Sequence, residues 1–456
     1  LDVTTGASDV RSRFRPDAAF ARELDASDAL RELRQEFLIP DASAMARVGG
    51  GDGAGLHGPC VYLTGNSLGC QPKRAQEEVL RELQDWATLG VEGHVHGRDP
   101  WLPYHEQFRG SLARLVGAKG HEVVAMNSLT VNLHLLMASF YAPTRDRFKI
   151  MIEDAAFPSD SHAVQSQAGF HAGRAGFAPA DAIVRLKPRE GERTLRTEDV
   201  VETIERTGHS LALVLLGAVN YLTGQWFDMR AITHAGQRAG ARVGWDLAHA
   251  IGNVPMQLHE WNADFAAWCS YKYLNGGPGA IGGAYVHERH CSDASLPQFA
   301  GWWGNDPATR FRMGPEFVPV ARADRWALSN PPILSLTPLK ASLALFDRAT
   351  LPALREKSEA MTLYMQRLLQ ARAPRVGIIT PEDSASRGCQ LSLRVAGSSR
   401  AMQQALLARG IVCDCREPDI LRAAPVPLYN SFGDVHRFVA ALAELVAGTT
   451  STGGAS

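Results

Sequence analysis

Short apolar runs that alternate with helical patterns decide what this chain can fold into. Val123 to Met126, Phe148 to Ile152, Leu211 to Leu216, Arg242 to Trp245 and Phe265 to Ser270 read as strands, with helices at Thr130 to Tyr141 and Asp228 to Gly240 between them. Strands apolar on both faces, interleaved with helices, form a mostly parallel sheet covered on both sides, so the class is α/β. A further helix is expected from Pro72 to Gly90, with Val79, Leu80, Leu83 and Trp86 on one side. After Asn330-Pro331-Pro332 the pattern changes to long helical stretches, Thr337 to Arg348 and Pro352 to Arg372, followed by short strand-like runs, which predicts a smaller α+β domain. The expected organisation is an N-terminal arm over 1–60, with a helix around Phe20 to Phe37 and a Gly-rich loop, then a large domain over 61–330 and a small C-terminal domain over 331–447. Residues 448–456 are expected to be a disordered tail.

At 456 residues the chain exceeds what one core supports. Its 47 basic and 48 acidic residues leave a net charge of -1, with no bulk charge to attract nucleic acid or an anionic membrane. No run of about 18 apolar residues and no signal-type start is present, and the seven cysteines lack a disulfide-scaffold spacing. A cytoplasmic protein is expected.

Lysine is scarce, so an unusual lysine is quickly found. Lys272 follows the apolar run Asp264 to Tyr271 and precedes the turn Asn275-Gly-Gly-Pro-Gly279. An ammonium at the end of a buried strand, beneath a glycine loop, has its charged form disfavoured and suits a Schiff base; the competing reading is a strand-end lysine reaching solvent. Val243-Gly-Trp-Asp246 ends another strand in a carboxylate, with His249 just beyond. Both strand ends belong to the crevice where open α/β sheets bind ligands. A lysine for an aldehyde and a carboxylate for a ring nitrogen are what pyridoxal phosphate (PLP) needs. Met126-Asn-Ser-Leu-Thr130 offers hydroxyls and amides at a helix start for a phosphate, and Phe157 in Phe157-Pro-Ser-Asp160 offers a ring to stack on the pyridine.

These residues sit in longer blocks: Leu63-Thr-Gly-Asn-Ser67, Asn127 to Met137, Ala156 to Asp160, Asp246-Leu-Ala-His-Ala, Trp268 to Asn275, Gly301-Trp-Trp-Gly304, Ser329-Asn-Pro-Pro-Ile333 and Arg422 to Phe432. In that order they resemble the kynureninases, PLP enzymes of the aspartate aminotransferase fold (fold type I), from about residue 35 to 446. The resemblance implies that Lys272 is the Schiff-base lysine, Asp246 meets the pyridine nitrogen and Phe157 covers the ring. It places the phosphate at Leu129, Thr130 and Tyr271, and puts Pro158, Ser159, Asp160 and His249 nearby. Trp302 and Asn330 reach the cofactor across a homodimer interface, and Arg422 takes the substrate carboxylate. The family often has Ser where this chain has Gly217.

The implied activity is hydrolysis of the Cβ–Cγ bond of L-kynurenine or 3-hydroxy-L-kynurenine to alanine and anthranilate or 3-hydroxyanthranilate, in tryptophan degradation and pyridine nucleotide synthesis. Tyr271 is the candidate proton relay beside Lys272. Ser67, His94, Ser329 and Asn330 are candidates for the substrate pocket, and His94, able to bond a 3-hydroxyl, predicts a preference for 3-hydroxykynurenine. The alternatives within the fold are an aminotransferase or a cysteine desulfurase. A nicotinamide-binding protein would need a G-x-G-x-x-G turn leading into a helix, which the glycines at 275–283 do not provide. His94 and His96 lack further ligands nearby, so no metal is expected.

Overall fold

A seven-stranded sheet organises residues 74–221 and 227–344 of the computed structural model, which describes residues 5–448. Its strands are β1 (Val123–Ala125), β2 (Lys149–Glu153), β3 (Ile183–Leu186), β4 (Leu211–Gly217), β5 (Arg242–Asp246), β6 (Phe265–Cys269) and β7 (Gly282–Val286), in the order β1-β7-β6-β5-β4-β2-β3. Pairing is parallel from β6 through β3, and β7 alone runs against its neighbours. The strand β7 was not expected, because Gly282-Gly-Ala-Tyr-Val286 reads as the end of a glycine turn. Its glycines answer to packing: a Cβ on Gly283 would lie 2.4 Å from the Trp268 indole.

The strands are short and apolar because both faces are covered. On one face helix α2 (Leu129–Phe140) presents Leu133, Leu136, Met137 and Phe140 to a core that includes Ile150, Ile152, Leu213, Leu215 and Phe265. Phe140 stacks on Phe265 with centroids 4.9 Å apart. Each fully buried side chain of this kind contributes about 1.5–3 kcal/mol. The predicted strand and helix spans differ from these by a residue or two at each end, as fraying ends do.

Helix α1 (Arg74–Leu89) turns its amphipathic pattern the other way. Glu78, Glu82 and Asp85 are buried, whereas Leu80, Leu83 and Trp86 are exposed, Trp86 at 63%. The acidic face is held by specific partners: Arg98 bonds Asp85 at 2.8 Å, the Trp101 indole donates to Glu82 at 2.8 Å, and Lys340 lies 3.4 Å from Glu78.

The other unit takes in the described residues up to Lys73, Leu222–Trp226 and the chain from Leu345 onward. The division therefore falls inside the helix Ile333–Ala349, and the N-terminal segment belongs with the C-terminal one. Helices α4 (Leu351–Arg372) and α5 (Phe432–Gly448) pack with Ala18–Ser27 around Phe20, Leu24, Tyr364, Leu368 and Phe438. Beside them lies an antiparallel sheet of β8 (Gly377–Ile378), β9 (Leu391–Arg394), β10 (Asp414–Arg416) and β11 (Ile420–Ala423), ordered β8-β9-β11-β10. The helix expected around Phe20 to Phe37 ends at Ser27, and a 3₁₀ turn covers Arg31–Glu36. Gly448 closes α5 instead of opening a tail, and 449–456 lie outside the described residues.

Candidate active site

Parallel strands deliver their C-terminal ends to one edge of the sheet, and there β2, β4 and β5 end in Glu153, Gly217 and Asp246. Three residues past β6 comes Lys272, in a turn that Asn275 closes by donating its N–H to the Lys272 carbonyl at 2.9 Å, with Asn275 itself at φ 52°. These ends enclose a cavity of about 180 Å³.

Lys272 Nζ lies 3.2 Å from His249 Nε2, 5.7 Å from the centre of the Phe157 ring and 5.9 Å from that of Tyr271. Asp246 is buried, and its Oδ1 accepts the Ala248 N–H at 2.6 Å, which fixes the carboxylate toward the cavity. Phe157 caps helix α3 (Pro158–Ala175) and stands edge-on to Tyr221 with centroids 5.2 Å apart. At the opposite wall the starts of α2 and α3 meet, where Thr130 Oγ1 and Ser159 Oγ share a hydrogen bond of 2.7 Å. Two helix N-termini and two hydroxyls at one wall make a site for an anion.

The electrostatics are dominated by acid. Burial pushes the Asp160 carboxyl well above its ordinary range, reinforced by the neighbouring carboxyls of Asp246 and Glu153. Burial pushes Glu153 up to about 7. The Tyr271 phenol and the Cys269 thiol are also raised by burial.

The cavity thus brings together Leu129, Thr130, Phe157, Ser159 and Asp160 on one side, with Gly217, Asp246, His249, Tyr271 and Lys272 on the other. Pro158 opens α3 beside them without lining the cavity. Four predicted residues of the same unit stand outside it. His94 packs edge-on against Trp101 at 5.3 Å, with its Nδ1 buried and unpartnered; Trp302 donates its indole N–H to the Arg310 carbonyl at 3.1 Å; Ser329 and Asn330 are exposed. In the other unit, Ser67 is exposed in a loop, while Arg422 on β11 is buried and paired with Asp414. Sequence reasoning missed Glu153 and Tyr221.

Among the described residues, one group of side chains converges as metal ligands do: Glu122, His259 and His287, not His94 and His96. Its acceptors are already engaged. Glu122 takes the N–H groups of Glu288 (2.7 Å) and Lys119 (2.8 Å), and His287 Nδ1 takes that of Arg289 (3.2 Å).

Residues 354–442 match the model of the kynureninase C-terminal domain. The kynureninase of Myxococcus xanthus is 57% identical over 94% of this chain and 97% of its own length, and that of Koribacter versatilis 55% over 92% and 96%. Among solved structures, a C-DES variant with glycine covalently linked to its PLP cofactor superposes with a TM-score of 0.70 at 19% identity, covering 84% of this chain and 96% of that one. The cysteine desulfurase CsdA of Escherichia coli superposes at 0.69 with 18% identity, covering 93% and 98%. These structural likenesses give the fold, a PLP-dependent fold type I architecture, and the two sequence likenesses, each running nearly end to end, decide the rest: the chain belongs to the kynureninase family.

Proposed function

We propose that this chain is a PLP-dependent hydrolase that cleaves the Cβ–Cγ bond of L-kynurenine and 3-hydroxy-L-kynurenine, releasing L-alanine and anthranilate or 3-hydroxyanthranilate. The observation that carries the reading is Lys272 Nζ in one cavity with the buried Asp246 carboxylate and the Phe157 ring. The donor set fits the cofactor: a primary amine for its aldehyde, an acid for its ring nitrogen, an aromatic face, and helix starts with hydroxyls for its phosphate. When bound, PLP supplies an electron sink conjugated to the substrate α-carbon.

The residues then divide the work. Lys272 would hold the cofactor through its aldehyde carbon and, as a free amine, would take the proton from the substrate α-carbon as a general base. The hydrogen bond between its Nζ and His249 orients that amine. Tyr271, hydroxyl-bearing and adjacent in sequence, relays a proton near Cβ while the hydrated Cγ carbonyl collapses. Asp246 keeps the ring nitrogen protonated, and Arg422 holds the substrate carboxylate.

Cysteine desulfurases share the fold, but their reaction needs a reactive thiol. Here six of seven cysteines are buried, and burial raises the thiols of Cys413 and of half-buried Cys415. The proposed substrate puts the reaction in tryptophan degradation or pyridine nucleotide synthesis, in the cytoplasm. No described helix is long and apolar enough to cross a membrane.

A homodimer completes the proposal. The outward face of α1, continued by Val91 (74% exposed) and Val95 (57%), is apolar while Glu78, Glu82 and Asp85 are tied inward. Its exposed charges are paired, Arg81 with Glu77 at 2.6 Å and Arg74 with Glu78 at 3.3 Å, and an apolar face with its charges paired is one that can meet its own copy across a two-fold axis. Trp86→Glu should yield a monomer in sedimentation velocity; a wild-type monomer refutes this.

Incubation of the PLP-loaded protein with each kynurenine, with products separated chromatographically, tests the activity. Equimolar alanine and anthranilate product are expected. Glutamate formed from 2-oxoglutarate, or alanine released from cysteine, in place of those products overturns the reading.

A further inference from the structure

Glu153 is a buried acid that the mechanism above does not use. It ends β2, next in the sheet to β4 and one strand removed from β5, so the three neighbouring strand ends read Glu153, Gly217, Asp246. Its side chain is 4% exposed and lines the cavity. The Gly217 N–H donates to its two oxygens, at 3.1 and 3.4 Å. Gly217 is what leaves this carboxyl room, since a Cβ there would stand 3.0 Å from Glu153 Oε1.

The charges around it come from every wall: Asp160 from α3, Asp246 from β5, His249 just beyond, Tyr271 and Lys272 after β6, and the Cys269 thiol at the end of β6. Three buried carboxyls therefore face one lysine. Buried this deeply, they cannot all be ionised beside a single ammonium, and the carboxyl of Asp160 is already pushed well above its ordinary range by burial and by the charge of Asp246. If Glu153 also ionised, the cavity would carry net negative charge where a phosphate and a substrate carboxylate must enter.

We propose that Glu153 is a positioning residue that must be uncharged for the anionic cofactor to bind: it ties the end of β4 through Gly217 and leaves Asp246 as the sole carboxylate for the ring nitrogen. Burial, which holds its carboxyl near neutrality, agrees with this geometry. The inference rests on the PLP reading.

The test measures the PLP dissociation constant by equilibrium dialysis from pH 6 to 9, for the wild-type holoenzyme and Glu153→Gln. Titration of PLP itself is common to both proteins and cancels in the ratio, so a ratio that follows pH reports the charge of Glu153 together with its pull on Lys272, His249 and Tyr271. A neutral isostere should match the wild type at pH 6. Above pH 7 the wild-type constant should rise relative to the variant's by up to about tenfold per pH unit, as linkage to one proton requires. A ratio that stays constant with pH, whether near one or large, refutes the proposal, because a purely structural role has no reason to follow pH. Should Glu153→Gln fail to fold, Gly217→Ala serves instead: crowding the carboxyl should move the midpoint of the wild-type pH dependence by about half a unit or more, and an unmoved midpoint refutes it. Failure to bind PLP at any pH would overturn the functional reading itself, a result distinct from a flat ratio.

Discussion

Replacing Asp324 with Asn should loosen the loop that carries Trp302 and Asn330, and should do so only where the carboxylate is ionised. Asp324 is 1% exposed and accepts from His105 Nε2 at 2.8 Å and Arg109 Nη2 at 2.6 Å, with Arg322 Nε at 3.2 Å. His105 in turn packs edge-on against Trp303, centroids 5.8 Å apart, so the network roots the 302–326 segment. Burial alone would raise this carboxyl; the bond to His105 and the charge of Arg109 outweigh it and hold it at about 2 against an ordinary 3.8. At about 1.4 kcal/mol per pH unit, that is about 2–3 kcal/mol of stability. The sign follows from the depressed value. The contribution is complete above the unfolded value, near pH 4, and is lost as pH falls from there toward 2. Asp324→Asn should therefore cost about 2–4 kcal/mol at pH 7, the upper end reflecting arginines left without their counter-charge. The gap between wild type and variant should narrow between pH 4 and 3. Thermal unfolding followed by circular dichroism at pH 7, 5, 4 and 3 measures it. A gap below about 0.5 kcal/mol at pH 7, or one unchanged at pH 3, refutes the reasoning.

Three further outcomes concern the reaction. Lys272→Ala should keep its circular dichroism spectrum yet lose the visible PLP band and all turnover, and a wild-type band after dialysis would remove Lys272 from its role. Arg422→Ala should lower kcat/KM about ten- to a hundredfold, through KM, as loss of a charged hydrogen-bonded pair does; an unchanged KM would place the substrate carboxylate elsewhere. His94 stands outside the Lys272 cavity of its own subunit but keeps an unpartnered Nδ1, and where the proposed homodimer brings it to the substrate it should give 3-hydroxykynurenine an advantage of roughly five- to thirtyfold in kcat/KM. Competition assays before and after His94→Trp should show that advantage lost, and a wild-type preference for kynurenine would sink the idea.

The sequence was most readable where local chemistry and tertiary structure agree. β4, β5 and β6 are continuous apolar runs because both faces of a parallel sheet are covered, and the residues that follow them, Asp246 and Lys272, share a cavity because parallel strands end on the same edge. The orientation of α1 was not readable. Its periodicity says that one side is apolar; that this side faces outward depends on Arg98, Trp101 and Lys340, which hold the acidic side from elsewhere in the chain. β7 was hidden for a related reason, since Gly283 belongs in a strand only because Trp268 on the neighbouring strand leaves no room for a side chain.

Glu153 is the instructive omission. Lys149-Ile-Met-Ile-Glu153 has the same form as Arg242-Val-Gly-Trp-Asp246, an apolar strand ending in an acid, and the rule that singled out Asp246 applies to it unchanged. One ring nitrogen needs one carboxylate, yet the sheet places two acid-bearing strand ends on either side of a glycine. An acid that closes a buried parallel strand has no solvent to ionise into. It must be bonded, neutral or paired, and each of those states bears on whatever binds at the strand ends. Here the bond comes from the Gly217 amide and the one nearby lysine stands among three acids, so the neutral state is the one the cavity can hold.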